Sequence, residues 1–339
     1  MRTPAFWRGG RRSLLARILT PASWIWSTTT RIRRARTTPW QAPVPVICVG
    51  NLTAGGAGKT PTVTALAQWF QSRGLTAHIL LRGHGGSLSA RGAHRVDPAS
   101  HGVAEVGDEA LLHARVAPTF IAADRVAGAK AAAIGADVIL MDDGHQNPSL
   151  ARDLSIIVVD LGFGLGNGRV IPAGPLREPV EVGLARANAI IAIGTGMVPP
   201  AIQRTSLPIL KAHIVPDPSA MNLAGQRVVA MTGIGRPEKF VETLMEMRAK
   251  VADLLAHPDH HVFNGDDIMR AVDRAREMDA VAVTTAKDHV RLPPEAKGLF
   301  QVVDIHLEFQ RPDLLDALLA PVQIAINHRR HQSQQKSPA

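Results

Sequence analysis

An apolar run at residues 44–49 ends in Gly50-Asn51-Leu52-Thr53-Ala54-Gly55-Gly56-Ala57-Gly58-Lys59-Thr60-Pro61 and gives way to an apolar helical segment that reaches Phe70. A glycine-rich turn between a buried strand and a helix lets successive backbone N–H groups converge on one anion, and the helix N-terminus adds about half a positive charge. The pattern reads as a phosphate-binding P-loop. Thr53, Ala54, Gly55, Gly56, Ala57 and Gly58 form the cradle, Lys59 reaches the β- and γ-phosphates, and Thr60 ligates Mg²⁺. The usual spacing puts a first glycine where this chain has Thr53, so the strand before and the helix after carry the assignment over a merely structural turn.

Apolar runs recur at 44–49, 78–81, 138–141, 155–159, 189–193, 227–231 and 280–284, separated by Ala-rich amphipathic stretches. Continuous β-rich runs of this kind belong to parallel strands covered on both faces. The expected class is therefore α/β, a doubly wound P-loop NTPase-like α/β/α sandwich. With 339 residues there is chain enough for two units. Prolines at 199, 200, 208, 216 and 218 mark a boundary near residue 215. The expected organisation is an N-terminal segment 1–38, a P-loop core 39–215, a smaller α/β domain 216–326 and a disordered tail 327–339.

Net charge is +9, from 38 basic and 29 acidic residues, but nine arginines and no acid lie in residues 1–36. The remainder is neutral, with 29 basic residues against 29 acidic, which disfavours a nucleic-acid-binding body. At about 100° per residue, Leu14, Leu15, Ile18, Leu19, Ala22, Ile25 and Trp26 fall within an arc of about 140°. Pro21 is expected to kink or end this helix. The run is shorter than the roughly 20 residues a bilayer span needs. With Trp24, Trp26 and flanking arginines it suits a membrane headgroup region. A basic helix packed on the protein's own body is the alternative, and an Arg-rich transit peptide a weaker one. The single cysteine, Cys48, excludes an intramolecular disulfide framework.

A phosphate loop needs a carboxylate for its metal, and the run 138–141 ends in Asp142 and Asp143. One would bind Mg²⁺ directly and the other through water; a cap on the next turn is the alternative, and the neighbouring P-loop favours the metal role. His257, His260 and His261 offer imidazoles without a recognised zinc spacing.

The string from Val49 to Pro61 resembles the tetraacyldisaccharide 4′-kinases of lipid A biosynthesis. Further matches follow in family order: Arg82-Gly83-His84-Gly85-Gly86, Val106-Gly107-Asp108-Glu109, Asp124-Arg125, Asp142-Asp143-Gly144-His145-Gln146 and the run from Pro172 to Glu178. The second half adds Gly233-Ile234-Gly235-Arg236-Pro237, Pro258-Asp259-His260-His261 and Thr285-Ala286-Lys287-Asp288. The resemblance implies two α/β/α units joined by a short β connection, with ATP and Mg²⁺ as cofactors. It implies phosphorylation of the 4′-hydroxyl of a tetraacyldisaccharide 1-phosphate to lipid IVA, at the cytoplasmic face of the bacterial inner membrane. The partners so implied are the lipid A disaccharide precursor and the membrane surface, with no nucleic acid and no obligate protein partner.

By the same resemblance Asp108 is the general base, partnered by His260 from the second domain, which requires domain closure. Asp108 and Glu109 also suit the first turn of a helix near residue 110. Arg125, Arg177 and Glu178 match positions near substrate or phosphate, although Arg177 and Glu178 also read as a surface charge pair. Two departures stand out: His145 and Asn147 replace the family's usual Phe and His, and His84 replaces its usual Tyr. Two rivals remain, a P-loop enzyme acting on a soluble substrate and a nucleotide-gated binding module without turnover.

Overall fold

The computed structural model of the chain describes residues 4–8 and 13–335. The expectations for Arg2, Arg11, Arg12 and residues 336–339 lie outside them. The described chain divides into two compact units, Pro4–His213 together with Leu307 onward, and Ile214–His306.

Thirteen strands are present among the described residues: β1 Val46–Gly50, β2 Ala77–Leu81, β3 His94–Arg95, β4 Thr119–Ile121, β5 Val138–Asp142, β6 Leu154–Asp160, β7 Ala189–Ile193, β8 Ile209–Pro216, β9 Arg227–Thr232, β10 Lys250–Ala256, β11 Val281–Thr285, β12 Gln301–Val303 and β13 Ile305–Phe309. Nine form one sheet in the order β13-β8-β7-β6-β1-β5-β2-β4-β3. From β4 through β8 the neighbours are parallel. At the edges the short β3 runs antiparallel to β4, and the bonds Asp217 N–H to Asp304 O and Gln310 N–H to Lys211 O set β13 antiparallel to β8. Every residue of β1, β2, β5, β6 and β7 is buried, as a sheet covered on both faces requires. The fold is α/β with a P-loop NTPase-like parallel sheet.

The strand order places the site. β1 lies between β5 and β6, so the chain moves outward from it to β2 on one side and crosses over it between β5 and β6. Such a switch point opens a crevice at the carboxyl ends of the strands. Those ends deliver Gly50 into the P-loop, Leu81 into the Arg82 turn and Asp142 beside Val49, its partner in the β1–β5 register.

The second unit is a four-stranded parallel sheet ordered β10-β9-β11-β12. It ends at His306 rather than at 326, because β13 joins the large sheet beside β8. The tail expected from residue 327 is helical through Gln335, as part of the helix Pro312–Gln335. Ile326 is fully buried, the Arg329 guanidinium donates to the Pro43 and Asp137 carbonyls, and Arg330 pairs with the Asp137 carboxylate. Polar composition suggests disorder, but these anchors lie 192 to 286 residues away in sequence.

At the N-terminus, a short helix Leu14–Ile18 stops and a second, Thr20–Ala35, begins with Pro21 in its first turn, where a missing N–H costs nothing. The alternative of a helix packed on the protein's own body holds in part. Ala16 and Ser23 are buried, and Ser23 Oγ donates to the Val170 carbonyl at 2.7 Å. Leu14, Ile18, Trp24 and Ile25 are instead 66–72% exposed. No helix among the described residues is long and apolar enough to cross a membrane.

Candidate active site

The P-loop owes its shape to two left-handed glycines and a brace. Gly55 has φ 110° and Gly58, the N-cap of the helix Lys59–Gln71, has φ 89°. A Cβ on Gly58 would lie 2.6 Å from Ile193 Cδ1. The brace is the segment after Pro172: Ala54 N–H donates to the Pro175 carbonyl at 2.7 Å and Arg177 N–H to the Leu52 carbonyl at 2.8 Å. Between them Thr53 forms an antiparallel bridge with Leu176. Bridge geometry is extended backbone that suits a β-branched residue, which explains why threonine stands where a glycine was anticipated. Asn51 Nδ2 closes the turn from inside by donating to the Thr53 carbonyl at 2.6 Å.

The two carboxylates that end β5 have different partners. Asp143, at φ 55°, receives the Arg177 fork at 2.6 and 3.0 Å, and Lys59 Nζ stands 3.7 Å from it. Burial pushes its carboxyl pKa up, but Lys59 and Arg177 together outweigh burial and hold it below the usual range. Asp142 is 2% exposed and its Oδ2 accepts from His113 Nε2 at 2.9 Å. Asp142 Oδ1 has no hydrogen-bond partner among the described residues. An open, buried carboxylate oxygen one strand from a phosphate cradle suits a hard cation with oxygen ligands. With the Thr60 hydroxyl on the adjoining helix it would make the direct donor set for Mg²⁺, while Asp143 is engaged by two cations.

Asp108 is the first residue of the helix Asp108–Ala114 and is 4% exposed. Its Oδ1 accepts from Glu109 N–H at 2.9 Å, so the first-turn role expected of it is present. The preceding Gly107 has φ 87°, and a Cβ there would meet the His84 carbonyl oxygen at 2.6 Å. A Cβ on Gly86 would meet Glu105 O at the same distance. The Arg82–Gly86 and Val106–Glu109 motifs are therefore packed backbone to backbone. Arg125, 4% exposed, opens the helix Arg125–Ala132; its Nη1 donates to the Ala122 carbonyl, and its Nε has no partner among the described residues. Burial lowers its pKa, with Asp143 and Asp142 opposing that shift.

Arg177 and Glu178 do not form a surface pair. Arg177 faces Asp143, whereas Glu178, 2% exposed, takes Arg186 at 2.7 and 2.9 Å, Arg34 at 2.8 Å and Gln146 at 3.1 Å. Burial raises the Glu178 pKa, and Arg186 leads the groups that bring it below its ordinary value. Gln146 also donates to the Asn51 carbonyl, joining this cluster to the P-loop root. His145 is wholly buried: Nε2–H donates to the Gly183 carbonyl and Nδ1 accepts from Ser155 Oγ, each at 3.0 Å. Burial first, then Arg186 and Arg152, push its pKa down to about 4, so it is neutral near pH 7. A Cβ on Gly50 would lie 2.4 Å from its Cβ, so the side chain at 145 leaves room only for glycine at 50. Asn147 Oδ1 accepts from Ser149 N–H and Oγ–H, an Asx turn.

In the second unit His260 sits at φ 60°, 47% exposed at its side chain, with Nε2 3.4 Å from Lys287 Nζ. His261 is committed elsewhere, donating from Nε2 to Asp267 at 2.8 Å and stacking on His257 with ring centroids 4.6 Å apart. His257, His261 and Asp267 are the metal-like cluster among the described residues. Imidazoles bind metals in the ring plane, and two rings stacked 20° from parallel share no such point. Buried Asp288 accepts from Thr232, Thr285 and Gly233 N–H and pairs with Arg291 at 3.2 Å, tying together the motifs that flank His260.

His113, which joins Asp142 to the Asp108 helix, was missed in the sequence. Its only signal there is a polar residue on the buried side of a short apolar helix. The structure brings Lys59, Thr60, Asp142, Asp143, Arg125 and Arg177 to one sheet edge in the P-loop unit, and leaves His260 in the other unit.

A model of the tetraacyldisaccharide-1-P 4′-kinase family matches residues 15–323. The tetraacyldisaccharide 4′-kinase of Rhodospirillum centenum is 53% identical over 95% of this chain and 97% of its own length. That of Gluconacetobacter diazotrophicus is 49% identical over 94% and 97%. Among solved structures, "apo" form LpxK from Aquifex aeolicus in complex with ATP superposes with a TM-score of 0.72 at 26% identity, covering 91% of this chain and 99% of that one. Matched by the family's model over residues 15–323 and 53% identical to a curated member along nearly its full length, the chain belongs to the tetraacyldisaccharide 4′-kinase family.

Proposed function

We propose that the protein transfers the γ-phosphoryl group of ATP to the 4′-hydroxyl of a tetraacyldisaccharide 1-phosphate, the lipid A precursor, at the cytoplasmic face of the inner membrane. The observation that carries this reading is the P-loop with Lys59 and Asp142 at the switch-point edge, in a chain that the family's model matches over residues 15–323.

Phosphoryl transfer is mainly positioning and charge stabilisation. The loop amides from Ala54 to Gly58 cradle the phosphate oxygens, and Lys59 neutralises charge on the group in flight. Arg177 holds Asp143, and Asp143 in turn orients the Lys59 ammonium. Mg²⁺, when bound, would supply further neutralisation, and Thr60, Asp142 and Asp143 are the residues that would hold it. Asp108 accepts the proton of the sugar hydroxyl at a carboxylate oxygen, a role worth about 10²–10⁴-fold. By family resemblance His260 is the partner of that base, and Arg125 and Arg177 serve the substrate's and nucleotide's phosphates. Glu178 contributes by holding Gln146 against the P-loop root.

The exposed Leu14, Leu15, Ile18, Trp24 and Ile25 among arginines form the surface for a peripheral lipid contact. The deciding experiment incubates the protein with γ-labelled ATP, Mg²⁺ and the tetraacyldisaccharide 1-phosphate. Label is expected on the lipid with wild type and none with Lys59→Ala. Asp108→Ala and His260→Ala are expected to lower kcat by 10²-fold or more while leaving ATP affinity within about threefold. Label that stays off the lipid and appears on a soluble acceptor would reject the reading.

A further inference from the structure

We infer that His113 is a positioning residue for the metal-binding carboxylate, fixing Asp142 so that one oxygen stays open to the cation and holding it at a set distance from the general base. This rests on the roles proposed above for Asp142 and Asp108. Both side chains of the pair are closed off from solvent, His113 at 0% and Asp142 at 2% exposure. A buried carboxylate must have its charge answered. His113 Nε2–H does so at Oδ2, 2.9 Å away, and leaves Oδ1 without a hydrogen bond among the described residues. A ligating carboxylate with one oxygen tied by a second group and the other open is how outer partners orient metal ligands.

The placement of His113 adds a link along the chain. It lies five residues after Asp108 in the single helix Asp108–Ala114, a separation of about 7.5 Å along the axis. The other end of the pair is fixed by β5, where Asp142 stands in register with Val49 at the root of the P-loop. One imidazole thus ties the element that carries the base to the strand that carries the metal ligand. The Nδ1 atom of His113 has no partner among the described residues. A histidine there is not explained by satisfying its own polar atoms, whereas a donor at the Nε2 position is explained by Asp142.

The test uses the full chain and Mn²⁺ as the probe ion, with a non-hydrolysable ATP analogue and Mn²⁺ affinity read by electron paramagnetic resonance. Glutamine places an amide donor near the histidine Nε2 position, while asparagine carries the same amide one methylene short, so the two variants differ in reach and not in polarity. His113→Asn is expected to weaken Mn²⁺ binding by about 10-fold or more, with His113→Gln within about threefold of wild type. Nucleotide affinity in EDTA is expected to be equal in all three. Equal Mn²⁺ affinity for His113→Asn and His113→Gln would overturn the inference and leave His113 as packing. Asp142→Asn separates the two levels: if it abolishes Mn²⁺ binding while His113→Asn does not, only the positioning role fails. If Asp142→Asn leaves Mn²⁺ binding intact, the ligand assignment and the inference fall together.

Discussion

Acid should destabilise the P-loop unit through His145. The ring is fully buried and its pKa lies at about 4 in the folded chain, against an ordinary value of 6.5. Between those values the unfolded chain takes up a proton that the folded chain refuses, so stability is complete above pH 6.5 and falls as pH drops toward 4. At 1.36 kcal/mol per unit, the loss is about 2 kcal/mol at pH 5 and about 3 kcal/mol at pH 4. The assay is urea unfolding followed by tryptophan fluorescence, since Trp7, Trp24, Trp26, Trp40 and Trp69 all belong to the same unit as His145. His145→Gln keeps a donor for the Gly183 carbonyl and has no titration; losing the Ser155 bond makes it about 1 kcal/mol less stable at pH 8. Its deficit relative to wild type should shrink on acidification, reverse near pH 6 and become an advantage of about 1 kcal/mol at pH 5, because only wild type carries the proton-linked loss. Parallel curves, with the same gap at pH 8 and pH 5, would refute the burial argument.

Other outcomes follow from single contacts. Gly58→Ala forces a side chain onto φ 89° against Ile193, and is expected to cost about 1–3 kcal/mol in denaturant unfolding and to weaken ATP binding by titration calorimetry. Asp288→Ala leaves buried Arg291 without its carboxylate and three donors unanswered; calorimetry should show a loss of about 3–5 kcal/mol, and wild-type melting would contradict the pairing. Glutamates at Trp24 and Ile25, both more than two-thirds exposed, should abolish flotation with anionic vesicles while shifting folding stability by less than about 0.5 kcal/mol. Unchanged flotation would remove the lipid-contact role from this helix.

Seven strands were legible as apolar runs because parallel strands buried on both faces leave no polar alternation to hide them. The P-loop was legible for a related reason, since its glycines and Lys59 act through neighbours in sequence. The strands that escaped notice include the three-residue β4, the partly exposed β10 and β13, whose last-moment return to the large sheet carries no local signal. The pairings at the site were equally hidden: Arg177 with Asp143, Glu178 with Arg34, and His113 with Asp142 join residues 29 to 144 positions apart. Asp142 and Asp143 read alike in the chain, and only packing gives one a histidine and an open oxygen and the other two cations. Local conformation and periodicity are written in neighbouring residues, so the sequence by itself determined the class of fold and the phosphate loop. Which charge answers which depends on distances set by the whole sheet, so tertiary structure alone decided the division of labour among the carboxylates.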